Sequence, residues 1–105
     1  MVRGVAILFV IALCAPPLWA GSLSLSRQEQ LAHLITQDCG SCHGLNLTGG
    51  LGRAITPEAL KGRTVEGLQT IVLDGIPGTA MPSWRPLLSE TEAKWIAAYL
   101  LEVNE

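Results

Sequence analysis

Cys39-Gly40-Ser41-Cys42-His43 constrains this chain more than any other stretch. Two thiols three positions apart, with an imidazole directly behind the second, suit three chemistries. They are thiol–disulfide exchange, half of a zinc site, and covalent attachment of a haem. Each makes a different demand on the rest of the sequence.

Those demands fall first on the residues that remain after export. Met1-Val2-Arg3 is a short positive start, and Gly4 to Ala15 is an apolar run of twelve residues. Pro16 and Pro17 break that run, and Ala20 supplies a small residue for cleavage, the layout of a secretory signal peptide. A bilayer-spanning helix takes about 20 apolar residues, more than this run holds. Residues 1–20 are therefore expected to be a leader removed on export, with residues 21–105 as the mature domain and no stable membrane insertion. Cys14 leaves with the leader, and Leu13 before it is too bulky for a lipidation signal.

The domain that remains is small. It carries six basic and nine acidic residues, a net charge of −3, which argues against a phosphate-backbone partner, so no nucleic acid is expected. The 49 % hydrophobic content is inflated by the leader, and only Trp84, Trp95 and Tyr99 remain as aromatics. A domain this short often needs a staple, and a bound macrocycle would complete its aromatic-poor core.

Periodicity and punctuation predict an all-α fold. Ser26 and Glu29 have the spacing of a capping box, and Leu31, Leu34, Ile35, Cys39 and Cys42 continue at helical spacing. Thr56-Pro57 predicts a short helix to about Lys61. Thr64 is placed to cap another helix that ends at Gly75. Ser89 and Glu92 predict a capping box for a final helix whose buried stripe is Ala93, Ile96, Ala97, Leu100 and Leu101. Ile76 to Pro86 holds three prolines in eleven residues and is expected to be irregular. No strand pattern or internal repeat is visible.

Zinc would need four Cys or His ligands, yet the mature chain offers only Cys39, Cys42, His43 and His33, with His43 chained to its neighbour. A redox Cys-x-x-Cys belongs at a helix start beside a βαβ unit, whereas this one closes a helix. A structural disulfide would leave His43 unexplained. A haem uses every residue: Cys39 and Cys42 would form thioethers to its two vinyl groups, and His43 would lie beneath the iron. For the second axial position, Met81 is the only methionine left after the leader, 38 residues beyond His43 and outside any helix. His33 shares the attachment helix, ten residues before His43, and is expected to be an exposed helix residue instead. His/Met coordination closes the iron to substrates and points to electron transfer, so no catalytic residue is expected.

"CGSCH", "GTAMPSW" and the terminal "SETEAKWIAAYLLEV" occur in the order found in class I c-type cytochromes, and the chain resembles that family over its whole mature length. "QDCGSCHG", "GGLGRAITPEALKG" and "VLDGIPGTAMPSWRPLLSE" are more closely similar to the small periplasmic cytochromes c-55X, the NirC type, of denitrifying bacteria. The resemblance implies three to five helices around one covalently bound haem c, with the first and last helices crossing. It assigns thioether attachment to Cys39 and Cys42, proximal ligation to His43 and distal ligation to Met81. It also implies a monomeric periplasmic electron carrier whose redox partner is cytochrome cd1 nitrite reductase. A role in maturation or delivery of haem d1 stays open as the alternative, as does an open-iron enzyme or gas sensor if Met81 does not bind. One departure stands out. Many class I cytochromes carry Gly-Pro after the motif, the proline carbonyl orienting the axial histidine, whereas here Arg53 follows Gly52. Arg53 and Arg85 are candidates for pairing with haem propionates, against plain surface solvation. Trp84, Trp95 and Tyr99 are read as packing residues.

Overall fold

A computed structural model describes residues 4–12 and 23–102. Among the described residues there is no strand, and no helix is long and apolar enough to cross a membrane. Gly4 to Ala12, part of the expected leader, are exposed and not helical. Ala20, where cleavage is expected, lies outside the described residues.

The first helix, α1 (Leu25–Leu34), is capped two residues before the expected position. Ser24, in extended conformation, is the N-cap, and its hydroxyl accepts from the Arg27 N–H at 3.1 Å. Leu23 packs against the core and its carbonyl accepts from the Gln28 side chain at 3.1 Å, which pulls the helix start back from Ser26. The chain then passes through a π-helical turn, Ile35–Cys39, into a last α-helical turn, α2 (Gly40–His43). The Gly40 N–H bonds to the Ile35 carbonyl, five residues back. That extra residue changes which positions meet the core. The buried stripe runs Leu31, Ile35, Gly40, while Cys39 is left half-buried and Cys42 exposed. Strict α-helical spacing from Ile35 would have turned Cys39 inward. Wide turns of this kind recur at functional sites.

Thr56 to Gly62 forms hydrogen-bonded turns instead of the short helix expected after Pro57. Thr56 caps the Ala59 N–H at 3.3 Å and accepts the Leu60 N–H at 2.9 Å, but Arg63 N–H already reaches back only to Leu60. The segment's contribution is Leu60, which is buried in the core.

Helix α3 (Val65–Asp74) has Thr64 as N-cap, accepting from the Gly67 N–H at 3.0 Å, and ends at Gly75. Helix α4 (Glu90–Glu102) opens on the expected capping box. Ser89 Oγ accepts the Glu92 N–H at 3.1 Å, and Glu92 Oε1 accepts the Ser89 N–H at 2.9 Å. Glu92 has a second task, since its other oxygen pairs with Arg27 and ties α4 to α1.

Helix α4 packs against both α1 and α3. Leu31, Ile35, Leu60, Leu68, Leu88, Ile96, Ala97 and Leu100 form one core cluster. Each large aliphatic side chain fully buried there contributes about 1.5–3 kcal/mol. Trp95 stacks on Tyr99 with ring centroids 5.0 Å apart, and both lie against this cluster.

Candidate functional site

The two thiols and His43 share one continuous helical rod. Both cysteines are free. Burial pushes the Cys39 thiol up to about 11, and the adjacent Asp38 charge acts in the same direction. A thiol held protonated is a poor metal ligand and a poor redox nucleophile, both of which require thiolate. Among the described residues, no three His, Cys, Asp or Glu side chains converge to hold a metal ion.

His43 closes the rod, and the glycine-rich loop after it folds back onto the helix end. The loop satisfies the carbonyls that a helix C-terminus leaves without partners. Gly44 N–H donates to Gly40 at 2.9 Å, Gly49 N–H to His43 at 2.8 Å, and Gly52 N–H to Cys42 at 2.7 Å. Ile55 N–H reaches Leu47 at 2.9 Å and closes the loop.

This folding-back brings the Arg53 carbonyl to 2.6 Å from His43 Nδ1. A carbonyl can only accept, so Nδ1 carries the proton and Nε2 keeps its lone pair. The group that orients the imidazole is therefore the backbone of Arg53, at the position where proline was expected and missing. A backbone acceptor does not depend on the side chain that follows Gly52. It was invisible to residue patterns for that reason, although the spacing from the motif held the clue.

Gly52 itself is required by proximity. A Cβ at this position would lie 2.9 Å from both Cε1 and Nδ1 of the ring. Its φ is not in the positive region, so a close approach and not an unusual backbone explains the glycine.

Met81 is half-buried in the irregular stretch after α3. Gly75, with φ +67°, turns the chain so sharply that a Cβ there would meet the Met81 carbonyl at 2.6 Å. The Ile76 N–H donates to that carbonyl at 3.2 Å. Downstream, the Trp84 N–H bonds Val72 and the Arg85 N–H bonds Leu73, each at 3.1 Å, capping the end of α3. The structure thus groups Cys39, Cys42, His43 and Arg53 at one end of the rod, and carries Met81 on a separate segment fixed to α3. His33 is exposed on α1, as expected. Arg85 is neither free nor merely solvated: it forms two hydrogen bonds to Asp74, at 2.7 and 3.1 Å.

These residues fit a covalently attached haem. Two free thiols sit three residues apart, and the neighbouring imidazole is fixed through Nδ1, with Nε2 left without a hydrogen-bond partner among the described residues. Hydrogen bonding through the second nitrogen is how axial histidines are oriented and their basicity raised.

Comparison with known proteins agrees with that fit. The family model described as cytochrome c oxidase, cbb3-type, subunit III, matches residues 26–100. Cytochrome c55X of Paracoccus denitrificans (strain Pd 1222) is 58 % identical over 95 residues, covering 90 % of this chain and 92 % of that protein. The solved structure of a c-type cytochrome NirC superposes with a TM-score of 0.74 at 56 % identity, covering 76 % of this chain and 94 % of that one. Dihydro-haem d1 dehydrogenase NirN, solved in complex with DHE, is similar at 30 % identity with a TM-score of 0.65. That match spans 70 % of this chain but 16 % of the dehydrogenase.

Proposed function

The chain belongs to the cytochrome c55X family of c-type cytochromes, and from that premise we propose that it is exported to the periplasm and donates electrons to cytochrome cd1 nitrite reductase during denitrification. The coarser activity follows from the family: this is a monohaem c-type cytochrome, an electron carrier and not an enzyme, with one covalently bound haem c. In the proposed reading residues 1–20 are removed on export, and residues 21–105 act as a monomer. Cys39 and Cys42 would hold the haem by thioethers, and His43 and Met81 would supply the ligands to its iron.

The observation that carries this reading is the hydrogen bond from His43 Nδ1 to the Arg53 carbonyl. When bound, the haem supplies a one-electron ferric/ferrous couple. The protein's part is to keep its own groups still while the charge changes. The Arg53 carbonyl fixes the ring plane and the tautomer, leaving Nε2 as the only available donor atom. The turns of residues 44–55 leave that carbonyl little room to move, because the N–H groups of Gly44, Gly49 and Gly52 tie the loop to the helix end. On the other side, Gly75 and the N–H groups of Trp84 and Arg85 hold the Met81 segment to α3. Preset donors lower the rearrangement that accompanies each electron.

Stopped-flow mixing of the reduced protein with purified, oxidised cytochrome cd1 nitrite reductase tests the partner. Rapid oxidation of the carrier with matching reduction of the reductase is expected, and no transfer would refute it. The likeness to dihydro-haem d1 dehydrogenase supports a second reading, a part in maturation or delivery of haem d1. A deletion strain whose nitrite reductase lacks haem d1 would favour that role over electron donation.

A further inference from the structure

Asp74 is the last residue of α3, where the helix dipole disfavours a negative charge. Its partner is Arg85, eleven residues on, across the whole segment that carries Met81. The contact is bidentate, Nε to Oδ1 at 2.7 Å and a terminal nitrogen to Oδ2 at 3.1 Å, a geometry that specifies position as well as charge. A second carboxylate, Glu90, lies 3.8 Å from the same guanidinium.

Between these two feet the segment has little else to hold it. Pro77, Gly78, Thr79 and Ala80 are exposed, and Ile76 is 44 % exposed. The Met81 N–H finds only the Thr79 hydroxyl, at 3.3 Å. Its carbonyl is held by the Ile76 N–H, inside the same loop. Fastening to the rest of the fold comes at the feet, from Ser83, Trp84 and Arg85 onto Val72, Leu73 and Asp74. We propose that the Asp74–Arg85 pair is a positioning latch for the Met81 segment, setting how readily the distal ligand leaves the iron. The proposal rests on the reading of Met81 as that ligand.

Both partners are about half exposed, so the pair adds little to global stability. Its effect falls on local opening, which proceeds at a lower free energy than global unfolding and needs only the feet to release. Asp74→Asn keeps the shape and one acceptor but removes the charge. Arg85→Lys keeps the charge but loses the fork. Glu58→Gln, an exposed carboxylate in the turn before α3, controls for the change in net charge.

The experiment titrates the ferric holoprotein with imidazole, following loss of the weak methionine–iron charge-transfer band. Imidazole is expected to bind about 2–5-fold more tightly to Asp74→Asn and Arg85→Lys than to the parent, with Glu58→Gln unchanged. Amide hydrogen exchange at Trp84 and Arg85 should quicken by a similar factor in the two variants alone. Equal imidazole affinity in parent and latch variants, with the band present in both, overturns the latch and leaves Met81 as ligand. A parent protein without the band overturns the ligand reading itself, and the latch as a device of the iron with it.

Discussion

Gly52→Ala perturbs the axial histidine without touching a ligand. The new Cβ would sit 2.9 Å from Cε1 and Nδ1 of His43, against the 3.4–4 Å of ordinary contact, so ring and loop must separate by about 0.5–1 Å. The Nδ1–Arg53 bond starts at 2.6 Å, and a separation of that size carries it to or beyond the usual limit of about 3.2 Å. Losing it costs about 1 kcal/mol. Electron density donated through Nδ1–H favours the ferric state, so weakening the bond raises the reduction potential. At about 59 mV per tenfold change for one electron, 1 kcal/mol corresponds to about 40 mV. That is the ceiling on the rise, since only the part of the bond's strength that differs between ferric and ferrous states shifts the potential. The assay is a spectroelectrochemical titration of parent, Gly52→Ala and Arg53→Ala. Arg53→Ala keeps the carbonyl and should stay within about 10 mV of the parent, since only the backbone takes part in the bond. An unchanged potential in Gly52→Ala, or an equal shift in Arg53→Ala, would refute the reasoning.

Three further expectations follow from the fold. Glu92→Ala removes half of the α4 capping box and the Arg27 pair at once, and should cost about 1–2 kcal/mol in denaturant unfolding. The Arg27 hydrogen bond, then the Ser89 N–H, hold the Glu92 carboxyl below its usual 4.5. Its stabilisation is therefore complete above that value and lost as pH falls through the depressed one, and Glu92→Gln should flatten this acid limb. Leu31→Ala, at a fully buried position, should cost about 2–5 kcal/mol and lower the melting temperature of the holoprotein.

Where a feature was decided by neighbours in sequence, it was legible. The Ser89–Glu92 box, the Thr64 cap and the stop at Gly75 each depend on groups within a turn, and all three stand in the fold. The start of α1 was misplaced because two serines compete and Leu23, packed against the core, settles the choice. The π-helical turn escaped because 3.6-residue periodicity cannot register an inserted residue. Pro57 did not start a helix because the turn it opens closes at Gly62, with φ +87°. At the site, residue types revealed the thiols and imidazole, whereas the carbonyl that aims the imidazole carries no side-chain signature. Arg85 looked like a propionate partner or a solvated cation. It is exposed, and Asp74, brought beside it by the fold of the intervening loop, pairs with it at the surface.

The central claim is that Cys39, Cys42 and His43 form one haem-attachment turn. Mass spectrometry of the denatured, trypsin-digested protein, expressed with a c-type maturation system, tests it most directly. Cleavage after Arg27 and Arg53 yields residues 28–53, which hold both cysteines and His43. The account predicts that this fragment carries the added mass of a single haem and that neither of its cysteines can be alkylated. A fragment at its bare mass, with both cysteines alkylated and the haem extracted into acidified organic solvent, would contradict it.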